Sequence, residues 1–118
     1  MHGLKPEDIR HLAHLRGTRL VQICVGEYQL KFQFQPDAGI SVEGQCDLLD
    51  PNGSIVNSWD RGRRSATFRF LEILGQFVKD VTIDTEKSFV ARLSNEWQIR
   101  FIDNLEQYES FSVGGLFV

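Results

Sequence analysis

The amino-acid sequence predicts an α+β fold: two antiparallel β-meanders related by internal duplication, with an N-terminal helix and a central buried helix. Three observations carry that reading. The stretch Glu27-Tyr28-Gln29-Leu30-Lys31-Phe32 recurs class for class as Glu96-Trp97-Gln98-Ile99-Arg100-Phe101. At the same offset the echo continues from Gly26 to Asn95 and from Val21 to Val90. Downstream, Ile40-Ser41-Val42-Glu43-Gly44 is matched by Phe111-Ser112-Val113-Gly114-Gly115 after a two-residue insertion. Such self-similarity marks one supersecondary unit used twice. Within each copy, apolar residues alternate with polar ones at the period of a strand. Between the copies they recur at the period of a helix.

Taken in order, Lys5 to Arg16 reads as a short helix. Pro6 suits its first position, Glu7 and Asp8 complement the positive end of the dipole, and Arg16 complements the other. Gly17 supplies the stop, and Ile9, Leu12 and Ala13 share the packing face. The first meander spans residues 18–49. Thr18 to Val25 forms a strand, Gly26-Glu27 turns it, and Tyr28 to Gln35 returns with Tyr28, Leu30, Phe32 and Phe34 on one face. Pro36-Asp37-Ala38-Gly39 makes the next turn, and Ile40 to Leu49 forms the third strand. Connections this short require antiparallel neighbours. Asp50-Pro51-Asn52-Gly53-Ser54 is a turn, and Ile55 to Trp59 reads as a further short strand.

The central helix is expected over residues 65–78, with Ser65 as its N-cap. Ile73, Phe77, Phe70, Leu74, Val78 and Leu71 sweep an arc of about 160° at roughly 100° per residue. That is wider than one sheet face needs, so the helix is read as a core element covered on several sides or as part of a dimer contact. The second meander spans 80–115: Asp80 to Asp84, Ser88 to Leu93, Trp97 to Ile102, and Ser110 to Val113. Asn95-Glu96 stands where Gly26-Glu27 turns the first copy. The apolar Leu116-Phe117-Val118 at the end must either pack down or be sticky.

With 118 residues the chain forms one domain (1–118), and its 42% hydrophobic and 25% charged content is that of an ordinary soluble globule. A net charge of −3 argues against a global nucleic-acid footprint, which is usually strongly basic. The opening Met-His-Gly-Leu-Lys-Pro-Glu-Asp lacks an apolar signal core, and no apolar run approaches membrane-spanning length, so the expected location is cytoplasmic. The alternation places Cys24 outside the meander and Cys46 in the core, which suits two reduced thiols better than a disulfide.

Chemistry-bearing patterns are few. Arg61, Arg63 and Arg64 precede the expected helix at Ser65, whose N-terminal amides and dipole favour an anion, with Trp59 as a stacking neighbour. The same arginines suit a solvated loop paired with Asp60 or Glu72. His11 and His14 sit at i, i+3, with His2 within reach, but no carboxylate or cysteine completes a tetrahedral metal set. Cys24 has no nucleophile signature around it. Asp80, Asp84, Glu86, Asp103, Glu106 and Glu109 crowd the second half, as edge charges or as an acidic face for a basic partner. No catalytic residue, metal or cofactor is implied.

In size and in this helix–meander layout the chain resembles small bacterial domains of unknown function, some of which act as immunity proteins that block a partner toxin. The resemblance covers most of the chain and rests on layout alone. It implies a non-enzymatic protein-binding module, immunity-like or a homodimeric regulatory domain. The alternative is a small-anion or nucleotide binder, enzymatic or not, built on Arg61, Arg63 and Arg64.

Overall fold

In the computed structural model, strands account for most of the chain; it describes residues 13–36, 38–60, 68–85, 87–102, 111–113 and 116–117. Among the described residues, ten strands run in chain order: β1 (Arg19–Val25), β2 (Leu30–Gln35), β3 (Ala38–Val42), β4 (Gln45–Leu49), β5 (Ile55–Asp60), β6 (Val78–Thr85), β7 (Ser88–Leu93), β8 (Gln98–Ile102), β9 (Phe111–Val113) and β10 (Leu116–Phe117). They make two five-stranded sheets, sheet A in the order β1-β2-β3-β9-β10 and sheet B in the order β5-β4-β8-β7-β6, and every pairing is antiparallel.

The fold is therefore mostly β, and the α+β expectation is overturned. Among the described residues, helical structure is confined to two 3-10 turns, Ala13–Leu15 and Phe70–Ile73. The expected central helix over 65–78 is absent as such: the second turn is four residues long, Leu74 leaves it with an extended ψ of 136°, and β6 begins at Val78. The apolar residues of that stretch fit a helical wheel and a turn-plus-strand equally well, and Gly75 at a φ of +90° decides for the break. The expected N-terminal helix over 5–16 falls mainly outside the described residues, and its last turn is 3-10.

The two sheets face each other across one core. Phe32 of sheet A meets Phe101 of sheet B edge-on at 5.6 Å, and Phe101 stacks on Phe89 at 4.7 Å. Phe70, from the second 3-10 turn, closes the cluster at 6.0 Å from Phe32. Leu20, Leu30, Phe34, Ile40, Val42, Leu48, Ala91, Leu93 and Ile99 are among the buried residues packed with it. The alternation from Ile40 onward keeps even-numbered residues inward through Leu48. The chain nevertheless changes sheets at Glu43-Gly44: the expected single strand Ile40–Leu49 is two, β3 in sheet A and β4 in sheet B. Such corners let one strand path serve both layers of a sandwich.

A two-fold correspondence relates the halves, and it differs from the sequence echo that sets Glu27 against Glu96. Taken from its other end, sheet B runs β6-β7-β8-β4-β5, so β1 to β5 map onto β6 to β10, each half lending its last hairpin to the other sheet. Gly17 and Gly75 are the matching points, both with positive φ, +82° and +90°. Gly17 N donates to Val78 O as Gly75 N donates to Leu20 O. Leu20 N donates to Gln76 O as Val78 N donates to Thr18 O. The register shifts between Leu20 and Gln22 and between Val78 and Asp80 fall at matching places. The axis passes through the Arg19·Phe77 bridge, where the outer edges of β1 and β6 meet.

The hairpin turns show why the sequence echo misleads. Glu27-Tyr28 is a two-residue connection closed by Gly26 N donating to Gln29 O. The second hairpin turns through Ser94-Asn95-Glu96, closed by Leu93 N donating to Trp97 O, and the positive φ of +73° belongs to Glu96 rather than Asn95. Tyr28 thus sits in a turn, 53% exposed, while Trp97 is half-buried on the flank of the core. The two aromatics do not occupy equivalent places. The segments matched as Ile40–Val42 and Phe111–Val113 are hydrogen-bonded neighbours, with Ile40 opposite Val113 and Val42 opposite Phe111.

Candidate functional site

The corner where β1 meets β6 carries the most unusual surface. Leu71, Leu74 and Phe77 are exposed by 54%, 40% and 50%, although the helical reading made Leu74 and Phe77 core residues alongside Phe70. Local geometry forces the split. Phe70 and Ile73 point inward from the 3-10 turn, so Leu71 and Leu74 face out. At residue 77 the chain enters the edge pairing with Arg19, and Val78, not Phe77, takes the inward position.

Phe77 is firmly held despite its exposure. Its N–H donates to Ser94 Oγ at 3.0 Å, its carbonyl accepts from Ser94 N at 2.7 Å, and Ser94 Oγ donates to Gln76 Oε1. A pinned backbone beneath an exposed aromatic ring is a preorganised anchor.

Exposed arginines lie on the β1 side of the same corner. Arg19 lies opposite Phe77 and reaches the neighbouring turn, with Nε 3.4 Å from Gly75 O. Arg16 precedes Gly17 as Leu74 precedes Gly75, so Arg16 and Leu74 hold matching positions across the axis. Both arginines are exposed, and among the described residues neither has a carboxylate partner. Arg69, by contrast, grips Glu72 at 2.6 Å and lies over the Trp97 ring at 5.8 Å. The hydrogen bond from Arg69 holds the Glu72 carboxyl below its ordinary range.

A second polar cluster occupies the outer face of sheet B. Lys79 pairs with Glu96, and Arg92 with Asp80 at 2.6 Å. Arg100 lies 3.5 Å from Asp84, held by charge rather than by a hydrogen bond from its Nε. The hydrogen bond from Lys79, and secondarily its charge, hold the Glu96 carboxyl low. Asp47 lies directly across from Arg100 and is only 2% exposed, accepting from Ser58 Oγ at 2.7 Å and Gln45 Nε2 at 3.1 Å. These charges balance one another across neighbouring strands, which makes them structural ties. Asp80 and Asp84, considered for an acidic docking face, are thus committed to arginines.

Of the anion site expected from Trp59, Arg61, Arg63, Arg64 and Ser65, only Trp59 lies among the described residues. Trp59 is 7% exposed and faces the core opposite Cys46, so it offers no stacking platform. Arg61, Arg63, Arg64 and Ser65 lie outside the described residues, and no helix follows them from Phe68 onward. Cys24 is exposed and Cys46 buried, each a free thiol, as the alternation requires; burial, with Asp47 beside it, pushes the Cys46 thiol well above the ordinary range. His14 is exposed, His11 and His2 lie outside the described residues, and no group of three metal-binding side chains forms among the described residues. Among them, too, no helix is long and apolar enough to cross a membrane.

The sequence did contain a signal for the corner. Leu15-Arg16-Gly17 and Ile73-Leu74-Gly75 share an aliphatic residue two positions before a glycine, and the glycines are the two left-handed residues at the axis. Aligning on them gives the structural correspondence. Comparison with protein-family models, curated proteins and solved structures returns no match for the chain.

Proposed function

We propose that the protein is a non-enzymatic binding module that engages another protein through the β1–β6 corner. The observation that carries this reading is the exposed trio Leu71, Leu74 and Phe77, with Phe77 fixed through both its backbone groups by Ser94. Large apolar side chains grouped on a rigid surface element are the ordinary substance of an interface hot spot. An immunity-type role, in which binding blocks a partner toxin, is a special case of this reading.

Self-association is the second reading, favoured by the same trio acting against a second copy. One experiment addresses both. The full chain and its Phe77→Ser variant are used as bait for native-host proteins and are sized by light scattering at micromolar concentration. A partner or a dimer present for the wild type and lost in the variant supports a binding module. Unchanged behaviour of the variant in both measurements rejects this surface.

A further inference from the structure

Resting on that reading, we infer that the corner recognises an acidic polypeptide segment carrying an apolar anchor, with Phe77, Leu74 and Leu71 taking the anchor and Arg16 and Arg19 taking the flanking carboxylates. Charge points to such a partner. Arg69, Lys79, Arg92 and Arg100 each lie within 4.0 Å of a carboxylate. Arg16 and Arg19 have none among the described residues, although the chain carries 16 acidic residues against 13 basic ones. The other described arginines are paired; Arg19, opposite Phe77, and Arg16, next to the Gly17–Val78 contact, have no carboxylate partner among the described residues. The lysines in the same condition, Lys31 in β2 and Lys87 between β6 and β7, lie on other segments. An arginine at the rim of an apolar contact offers a planar fork to a carboxylate, and that pairing is strengthened by the water the apolar contact excludes.

Other occupants fit the corner less well. A nucleic acid needs several free cations along its backbone, whereas Arg69, Lys79 and Arg92 near the corner are already held by Glu72, Glu96 and Asp80. The anchor residues are largely aliphatic, which suits a side chain rather than a stacked base. A second copy related by a two-fold axis through the corner would set Arg16 and Arg19 against their own counterparts, at an electrostatic cost.

The test uses the uniformly labelled full chain in NMR titrations with synthetic peptides. One carries a Leu-Phe-Leu centre flanked by two Glu or Asp on each side, and its matched control carries Lys in those positions. The acidic peptide is expected to shift the amides of residues 16–20 and 71–78 and to bind at least about tenfold more tightly than the control. Arg19→Glu should reverse that preference, and Phe77→Ser should weaken both peptides by about tenfold or more. Raising salt should narrow the acidic peptide's advantage several-fold. Equal binding of the two peptides, or shifts that map elsewhere, overturns the inference while leaving a binding module in place. Binding of a duplex oligonucleotide or anionic vesicle through the corner, with neither peptide bound, overturns it as well. A Phe77-dependent dimer without peptide binding removes the acidic partner but keeps the protein-binding reading. Neither peptide binding nor association under any condition removes both.

Discussion

Sheets A and B are built to one plan, and their outer faces show how little of a strand that plan dictates. At corresponding inward positions stand Leu20 and Val78, Leu30 and Phe89, Phe32 and Ala91, Ile40 and Ile99, Val42 and Phe101, all buried. Outward, Gln22 faces Gln33 in sheet A where Asp80 faces Arg92 in sheet B. Lys31 stands between Cys24 and Ser41 where Val90 stands between Thr82 and Arg100. The sandwich constrains the volume and polarity of its interior and leaves the exterior of each sheet free to diverge. Sheet A became an amide-rich face and sheet B a lattice of ion pairs.

The largest expected effect would break the comparison if the sheets were independent. Phe32→Ala and Phe101→Ala each remove a fully buried ring at the point where the sheets touch, and each should cost about 3–5 kcal/mol. Urea unfolding should remain a single transition for both variants when followed by tryptophan fluorescence and by circular dichroism. Separate transitions for the two probes would show that the layers fold apart.

Next come the glycines at the axis. Gly17→Ala and Gly75→Ala impose the same left-handed backbone on a residue that resists it, at about 1–2 kcal/mol each. An added Cβ meets nothing within 4 Å at Gly17 and only Arg19 Nη2 at 3.8 Å at Gly75. Strain alone is therefore at issue, and chemical denaturation should return nearly equal losses for the two variants. A clearly larger loss at one site would show that the correspondence is geometric but not energetic.

Smaller still is the exchange of one outer face for the other. Asp80→Gln with Arg92→Gln gives sheet B the amide pair of sheet A, and since both partners are substantially exposed the change should stay below about 1 kcal/mol. Either single replacement should be no milder than the double, as a double-mutant cycle would reveal.

The pH dependence sharpens the contrast. Glu96 and Glu72 are held below the ordinary glutamate value of 4.5, by Lys79 and Arg69 respectively. A carboxyl whose folded-state pKa is lowered contributes stability that is present above its unfolded value and is lost as pH falls through the folded one. The melting temperature should therefore decline below about pH 4.5, and Glu96→Gln should flatten part of that decline. Replacing Gln33 with Glu in sheet A should leave the slope attributable to Glu96 unchanged.

The strands were legible in the sequence where burial alternates. Leu30, Phe32 and Phe34, the turn at Asp50–Ser54, the strand at Ile55 and the opposite placements of Cys24 and Cys46 all follow from period and parity. The corner was not legible, because Phe70, Leu71, Ile73, Leu74 and Phe77 satisfy a helical wheel, and only Gly75 marks the break. Nor was the change of sheet at Gly44, since the inward parity passes through it undisturbed. The candidate interface was missed for the same reason: a residue assigned to a buried helix is not considered as surface. Arg16 and Arg19 carry no motif, and their availability depends on which carboxylates the fold places elsewhere.

The exchange of hairpins between the halves governs the order in which the molecule can be made. β3 finds one of its two neighbours in β9, pairing Ile40 with Val113, 73 residues further along the chain (113 − 40). During synthesis, an emerging first half holds a three-stranded meander with a bare edge at β3 and a β4–β5 hairpin whose sheet does not yet exist. Pairings this distant in sequence carry a large loop-closure cost before they return any stability, and they slow folding. Throughout that interval the β3 edge is open to strands of other nascent chains. Of the edges this topology leaves for late closure, β3 is therefore the one that off-pathway pairing would find first.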